Sequence, residues 1–353
     1  EGLHFYRRYE ILTMDCPQHK SDSCLLHIAI DHANNNQRVA LKFMAMKDHY
    51  NIELEVREKY EFSEEFVLPV FRCHDSDDDE IFKDEVQRRG FGKYPYCLVM
   101  PAAERNLQAI ISAERIAGRD WTLIKHIITQ IAQALNHMHE KGVMHGDLKP
   151  LNIMRVDGVM KLIDLDASAS LIDGYAGGKA SSAYLPPELV HCSDLELSPS
   201  AERIHHHLAH SCSVKYLTVH AIPKRRDSRI SHLQEEKVKV LSEGRPAYEF
   251  VPATYAHDVW SLGCVLYELC SGIKLFLQDD EDNIDPESML DLFHFTEEFK
   301  QRKLSKISDL LGRNLVSQLL MKDLNKRPNF EQIIAHPFLS GHKVSRMVGE
   351  KAE

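Results

Sequence analysis

The chain has 353 residues, 43% hydrophobic and 27% charged, enough to bury a large core. Lys+Arg 43 against Asp+Glu 53 gives a formal net charge of -10, which speaks against a nucleic-acid binder, because phosphate backbones call for a basic footprint. Cys16, Cys24, Cys73, Cys97, Cys192, Cys212, Cys264 and Cys270 form no C-x-x-C pair and read as reduced thiols of an intracellular, cytoplasmic protein. No apolar run approaches the roughly 20 residues of a membrane helix, and neither a signal-peptide pattern nor an Asn-x-Ser/Thr acceptor occurs. The start at Glu1 rather than Met fits a piece cut from something longer.

In chain order, Leu25–Ile30 and Arg38–Met44 are strand-like runs, and the turn-rich His32–Gln37 between them predicts a hairpin. Tyr50–Phe62 reads as a charged helix with Ile52, Val56 and Tyr60 on one face. The acidic run Asp75–Glu80 lacks the glycine and distal glutamate of a Ca²⁺ loop and reads as a solvated, mobile connection. Tyr96–Met100 is a buried-strand run stopped by Pro101. Trp121–Lys141 is an amphipathic helix with Ile124, Ile127, Ile128, Ile131 and Leu135 inward, and Gly142 is its expected cap. His137 and His139 on it face different directions, which argues against a metal pair.

The next stretch, His145-Gly146-Asp147-Leu148-Lys149-Pro150-Leu151-Asn152, sets a carboxylate, an ammonium and an amide close together, and Lys161–Asp166 adds further acids. These are the parts that phosphoryl transfer needs: a base for a hydroxyl, a cation near the moving group, and an amide plus an acid to hold Mg²⁺. The following 164–188 segment is glycine-bearing and closes in Ser181-Ser182-Ala183-Tyr184-Leu185-Pro186-Pro187-Glu188. A long stretch from about 189 to 253 carries His205-His206-His207 and Lys224-Arg225-Arg226, with a short helix expected over Ser231–Leu241. Asp258–Leu269 reads as a buried helix, and later helices are expected at Glu287–Phe299, Lys306–Leu311, Leu315–Met321 and Phe330–Ala335.

His145–Asn152 followed by Asp164-Leu165-Asp166 resembles the catalytic loop and D-F-G segment of the eukaryotic-type protein kinase superfamily. Val39-Ala40-Leu41-Lys42 looks like its V-A-I-K strand, and Asp323–Pro328 and His336–Leu339 like the end of its domain. The resemblance implies an α+β, bilobal kinase-like domain over 1–340 with a polar tail, 341–353. Its small β-rich N-lobe with one main helix would span about 9–100 and its hinge about 101–105. The larger, mostly helical C-lobe would span about 106–340, with the insert at about 189–253 as the place for a regulatory partner.

By the same resemblance Asp147 is the base, Lys149 neutralises the γ-phosphoryl, and Asn152 and Asp164 hold Mg²⁺. Lys42 pairs with the ATP phosphates and with a helix glutamate. Glu53, Glu55 and Glu58 are candidates for that glutamate, and Val56 and Tyr60 placed after Glu53 favour Glu53. Leu26, Ala40, Met100 and Met154 would line the adenine pocket, backbone at Ala102 and Ala103 would bond the adenine edge, and Asn106 would meet the ribose, unless it caps the helix from Leu107. Ser181 would touch the catalytic loop, Asp258 would bond its backbone, and Glu188–Arg327 would be a structural ion pair. Lys149 two places after Asp147 points to serine/threonine rather than tyrosine substrates.

Three departures stand out. The family's glycine-rich lid has no counterpart: its glycine positions fall near His19, Ser21 and Cys24, and no glycine lies between Gly2 and Gly90. The arginine of H-R-D is Gly146, which implies activity without activation-loop phosphorylation. The glycine of D-F-G is Asp166, which could add a metal ligand or raise the pKa of Asp164. The expected function is ATP- and Mg²⁺-dependent phosphoryl transfer to protein hydroxyls. The alternative is a pseudokinase that binds nucleotide or acts as a scaffold.

Overall fold

The computed structural model describes residues 4–13, 17–177, 181–193, 218–221, 251–279 and 282–341. The chain divides into two units: Glu1–His145 with Pro150–Ser168, and Gly146–Lys149 with Ala169–Glu353.

The first unit holds an antiparallel sheet. Its strands are β1 (His4–Phe5), β2 (Tyr9–Ile11), β3 (His19–Lys20), β4 (Cys24–Asp31), β5 (Gln37–Met44), β6 (Arg72–Asp75) and β7 (Tyr96–Pro101). The order is β1-β2-β4-β5-β7-β6, with β3 added on β4. β4 and β5 form the expected hairpin, and Asn35 and Asn36 take positive φ (49° and 56°) in its turn, a conformation asparagine tolerates better than most residues. One side of the sheet buries Phe5, Tyr9, Leu41, Phe43, Phe82 and Phe91 in a common cluster. Helix α1 (Lys47–Tyr60) starts earlier than its apolar pattern suggests and buries Tyr50 and Glu53.

The acidic run is more ordered than the sequence implies. Asp79 caps a helix, α2 (Glu80–Arg88), by accepting the Phe82 N–H at 3.0 Å, and Asp77 and Asp75 take the Lys47 ammonium at 2.7 and 3.4 Å. Phe82 and Val86, four residues apart on one face and buried, give the acids a reason to be held in place. Strand β8 (Arg105–Asn106) leads into α3 (Leu107–Glu114), and α4 (Trp121–Glu140) follows, capped by Asp120. The strands Ile153–Val156 and Val159–Leu162 pair with each other, and the first also pairs with β8.

The second unit is mostly helical. Its central helix, Tyr255–Ser271, is buried almost throughout, Trp260 and Tyr267 among its largest side chains, with a capping box at Thr254 and Gly272 at its end. The helix expected over Glu287–Phe299 is two helices, Pro286–His294 and Glu297–Leu304. Phe295 breaks it at φ 30°, and the Thr296 hydroxyl accepts the Phe299 N–H to start the second. The separate helices expected over Lys306–Leu311 and Leu315–Met321 are one, Leu310–Leu319, because Asp309 accepts the Gly312 N–H at 2.7 Å and sets its start. Phe330–Ala335 is helical as read.

Within the long stretch after Leu189, Val190–Ser193 pairs antiparallel with Thr218–Ala221. The His205–His207, Lys224–Arg226, Ser231–Leu241 and 342–353 readings lie outside the described residues. Among the described residues, no helix is long and apolar enough to cross a membrane.

Candidate active site

The candidate residues fall into two sets, one in each unit. In the first unit, β5 carries Lys42 and the turn after strand Val159–Leu162 carries Asp164. The Lys42 ammonium sits 2.5 Å from the Asp164 carboxylate, although 122 residues separate them. Burial alone would lower the lysine's pKa, but the Asp164 and Glu53 carboxylates outweigh it and hold the ammonium above its ordinary value. Lys42 is therefore a fixed cation beside a fixed anion.

Glu53 does not hold Lys42 directly. Its carboxylate accepts the Leu165 backbone N–H at 2.5 Å and the Arg57 guanidinium at 2.7 Å. Arg57 in turn donates to the Leu68 carbonyl at 2.5 Å. The expected Lys42–Glu53 ion pair is thus replaced by a Lys42–Asp164 pair, with Glu53 one step behind it on the same turn. Asp164 itself has φ 66°, the left-handed region that a side chain makes costly. Asp166 is buried, with His49 Nδ1 2.8 Å from its carboxylate.

Asn152 is buried in the short turn Pro150–Asn152, and its carbonyl accepts the Ile163 N–H, tying that turn to the strand before Asp164. An amide and a carboxylate are hard oxygen donors of the kind Mg²⁺ takes. Among the described residues no cluster of three or more His, Cys, Asp or Glu could hold a metal ion by itself. That fits an ion completed by phosphate oxygens, since Mg²⁺ is ordinarily bound by one or two carboxylates and its substrate.

Ala40 and Met100 are cross-strand partners in the β5–β7 ladder and both are buried. Leu26 pairs with Lys42 across β4–β5, and Met154 pairs with Asn106. Of the backbone groups expected to bond the adenine edge, the Ala102 N–H is taken by the Arg38 carbonyl at 3.2 Å. Asn106 is a helix cap: its side-chain oxygen accepts the Ala109 N–H at 2.8 Å, so the ribose role is not what fixes it. In place of the glycine-rich lid, β3 lies on β4, and the N–H groups of Gln18 and Ser21 are spent on the Leu26 and Cys24 carbonyls. What the described part of this lid offers is side chains, the exposed Lys20 among them.

In the second unit, Asp147 is buried and accepts the Ser181 N–H at 3.1 Å. Lys149 donates to the Ser181 hydroxyl and lies 3.9 Å from Asp147. A residue not foreseen joins them: the buried Asp282 is 3.4 Å from Lys149. Its carbonyl accepts the Ala183 N–H, and Ser182 accepts the Ile284 N–H, so the two segments are laced together. Gly146 takes φ 82°, which explains a glycine there, and its N–H donates to Asp258 at 3.0 Å. Glu188 and Arg327 meet in a two-pronged ion pair at 2.6 and 2.7 Å.

Sequence reasoning missed His49, Arg57 and Asp282. His49, Glu53 and Arg57 lie at successive i, i+4 positions of α1, a spacing visible in the sequence. Asp282 lies in a sequence stretch with no periodic signal.

The sequence matches the family described as the protein kinase domain over residues 28–202 and 247–339, more than half of the chain. Among curated proteins it is similar to the smooth-muscle myosin light chain kinase of Gallus gallus (23% identical, over 76% of this chain and 12% of that one). It is also similar to the serine/threonine-protein kinase UCN of Arabidopsis thaliana (27%, over 62% and 53%). A third relative is the MAP kinase-interacting serine/threonine-protein kinase 2 of Xenopus laevis (25%, over 61% and 40%). The chain thus spans between 12% and 53% of the length of these relatives. With the α+β architecture and the family match both in hand, the chain belongs to the eukaryotic-type protein kinase superfamily and has its bilobal fold.

Proposed function

We propose that this chain transfers the γ-phosphoryl group of ATP to serine or threonine hydroxyls of protein substrates, with Mg²⁺ as cofactor. The observation that carries this reading is the Lys42–Asp164 contact of 2.5 Å. A structural lysine gains little from such burial, since ion pairs of this kind seldom outweigh their desolvation. A lysine that must meet phosphate and an aspartate that must meet metal gain a preset geometry.

Asp147 is the base that orients and takes the hydroxyl proton, and Lys149 is the cation that meets the developing charge on the moving group. Ser181 holds both in register. Asn152 and Asp164 are the residues that would hold Mg²⁺, which when bound neutralises phosphate charge. Ala103 N–H is the adenine-edge donor, and Leu26, Ala40, Met100 and Met154 line the adenine pocket. The serine/threonine relatives and Lys149 favour those hydroxyls over tyrosine. A cytoplasmic setting and a regulatory partner at the 189–253 stretch belong to the same reading.

The test is transfer from labelled ATP with Mg²⁺ to a generic basic protein, beside Asp147→Asn. Transfer that persists undiminished in the variant refutes the assignment. A second reading, a pseudokinase, is favoured by the glycine-free lid. It predicts a thermal shift with ATP but no transfer by the unaltered chain.

A further inference from the structure

We propose that His49 is a positioning residue that, through Asp166, fixes the turn carrying Asp164. The inference rests on the reading of Asp164 as the metal-holding acid. Helix α1 grips the turn Leu165–Ala167 at two points. Glu53 accepts the Leu165 N–H at 2.5 Å, and His49, one helical turn earlier, lies with Nδ1 2.8 Å from the Asp166 carboxylate. A carboxylate is an acceptor, so Nδ1 carries the donated proton.

Burial makes this contact costly for Asp166 to lose. The Asp166 side chain is 1% exposed and that of His49 16%. A carboxylate at that depth is tolerated only when paired. The residue it anchors to is two places from Asp164, whose φ of 66° lies in the left-handed region, uncommon for residues with a side chain although aspartate enters it more readily than most. Such a backbone persists only where its surroundings over-determine it. Here three contacts do so: Lys42 on Asp164, Glu53 on Leu165 and His49 on Asp166. Protein kinases place a glycine at the third position of this segment, which leaves the turn free to pivot. In this chain the side chain replaces that freedom with a tether, so Asp166 serves the geometry of the site and not the metal.

The experiment is a mutant cycle on the whole chain: His49→Ala, Asp166→Gly, the double variant, and His49→Asn, whose amide nitrogen falls near the position of Nδ1. The first readout is amide hydrogen exchange of the peptide covering 160–170 without ligand. His49→Ala should speed exchange about tenfold or more, His49→Asn should restore most of the protection, and the double variant should be no faster than the faster single one. The second readout is phosphoryl transfer. His49→Ala should raise the KM for Mg²⁺ several-fold more than it lowers kcat, a split that a loss of overall stability does not produce.

Unchanged exchange in His49→Ala, or strictly additive effects of the two single substitutions, would overturn the tether. If the unaltered chain neither transfers phosphate nor shifts with ATP and Mg²⁺ while the exchange cycle shows coupling, the tether stands and the metal role of Asp164 falls. Should a variant fold poorly, the Asn variant still decides: protection restored supports the tether, and protection lost as in Ala removes it.

Discussion

Replacing Arg327 by methionine tests the energetics of the second unit. The guanidinium is fully buried and makes a two-pronged pair with Glu188, at 2.6 and 2.7 Å. It also donates to the Ala256 and Met321 carbonyls, each at 2.8 Å, and lies 5.0 Å from the centre of the Trp260 ring. Arg327→Met keeps much of the apolar stem but removes the donor from three carbonyls, those of Ala256, Met321 and Lys322, and from the Glu188 carboxylate. Breaking a buried pair by removing one partner costs roughly 3–5 kcal/mol. Glu188, 14% exposed, keeps access to some water, so the lower half of that range is expected. At ~2 °C or somewhat less per kcal/mol for a domain of this size, Tm should fall by about 5 °C. In Glu188→Gln the amide oxygen still accepts from the guanidinium, which also keeps the Ala256 and Met321 carbonyls, so a smaller loss, roughly 1.5–3 kcal/mol, is expected. Thermal melting and guanidinium unfolding of the two single variants and the double one give the coupling between them. A drop below about 1 °C for Arg327→Met, or a Glu188→Gln loss larger than that of Arg327→Met, would refute this account of the pair.

Gly263→Ala should lower Tm although alanine favours the helix by ~1 kcal/mol, because an added Cβ would meet Leu320 Cδ2 at 2.8 Å and Leu319 Cβ at 3.0 Å; a net loss of about 1–2 kcal/mol in chemical unfolding is expected. Gly146→Arg, which restores the residue common in the family, should cost about 1–2 kcal/mol by the same assay, since φ is 82° there. His74, packed among Tyr6, Tyr9 and Phe82, has its pKa lowered to about 4, chiefly by burial. The unfolded chain therefore binds the extra proton first, so stability is complete above about pH 6.5 and falls as pH drops toward about 4, by up to roughly 3 kcal/mol. His74→Phe should flatten that slope in melts recorded between those pH values, and an unchanged slope would show that His74 does not carry it.

What was legible in the sequence was what local chemistry dictates. The β4–β5 hairpin follows from alternation interrupted by asparagines, and α4 follows from isoleucines at helical spacing. The acids, amide and lysines of the site were visible because phosphoryl transfer needs those groups in that order. Helix boundaries were less legible: Thr296 and Asp309, ordinary polar residues in a row, act as caps that split one expected helix and merge two others. Helix α2 hid behind four aspartates because the eye weighs charge before the buried Phe82 and Val86.

The pairing of side chains far apart in sequence was the least legible of all, and one physical reason covers the cases. Lys42 could answer any of several carboxylates, and which one it meets depends on how α1 and the Asp164 turn are placed, which no local pattern encodes. Of the three candidates for the Lys42 partner Glu53 alone is buried, yet its carboxylate meets the Leu165 N–H and the Arg57 guanidinium rather than Lys42. Asp166 looked like a spare metal ligand only while its surroundings were unknown. Once it is seen buried, desolvation demands a partner, and the first donor within reach on the facing helix is His49. Residue type therefore restricts what a buried ionisable group may do, while the partner that tertiary packing supplies selects among those options, and at this turn packing supplies His49 to Asp166.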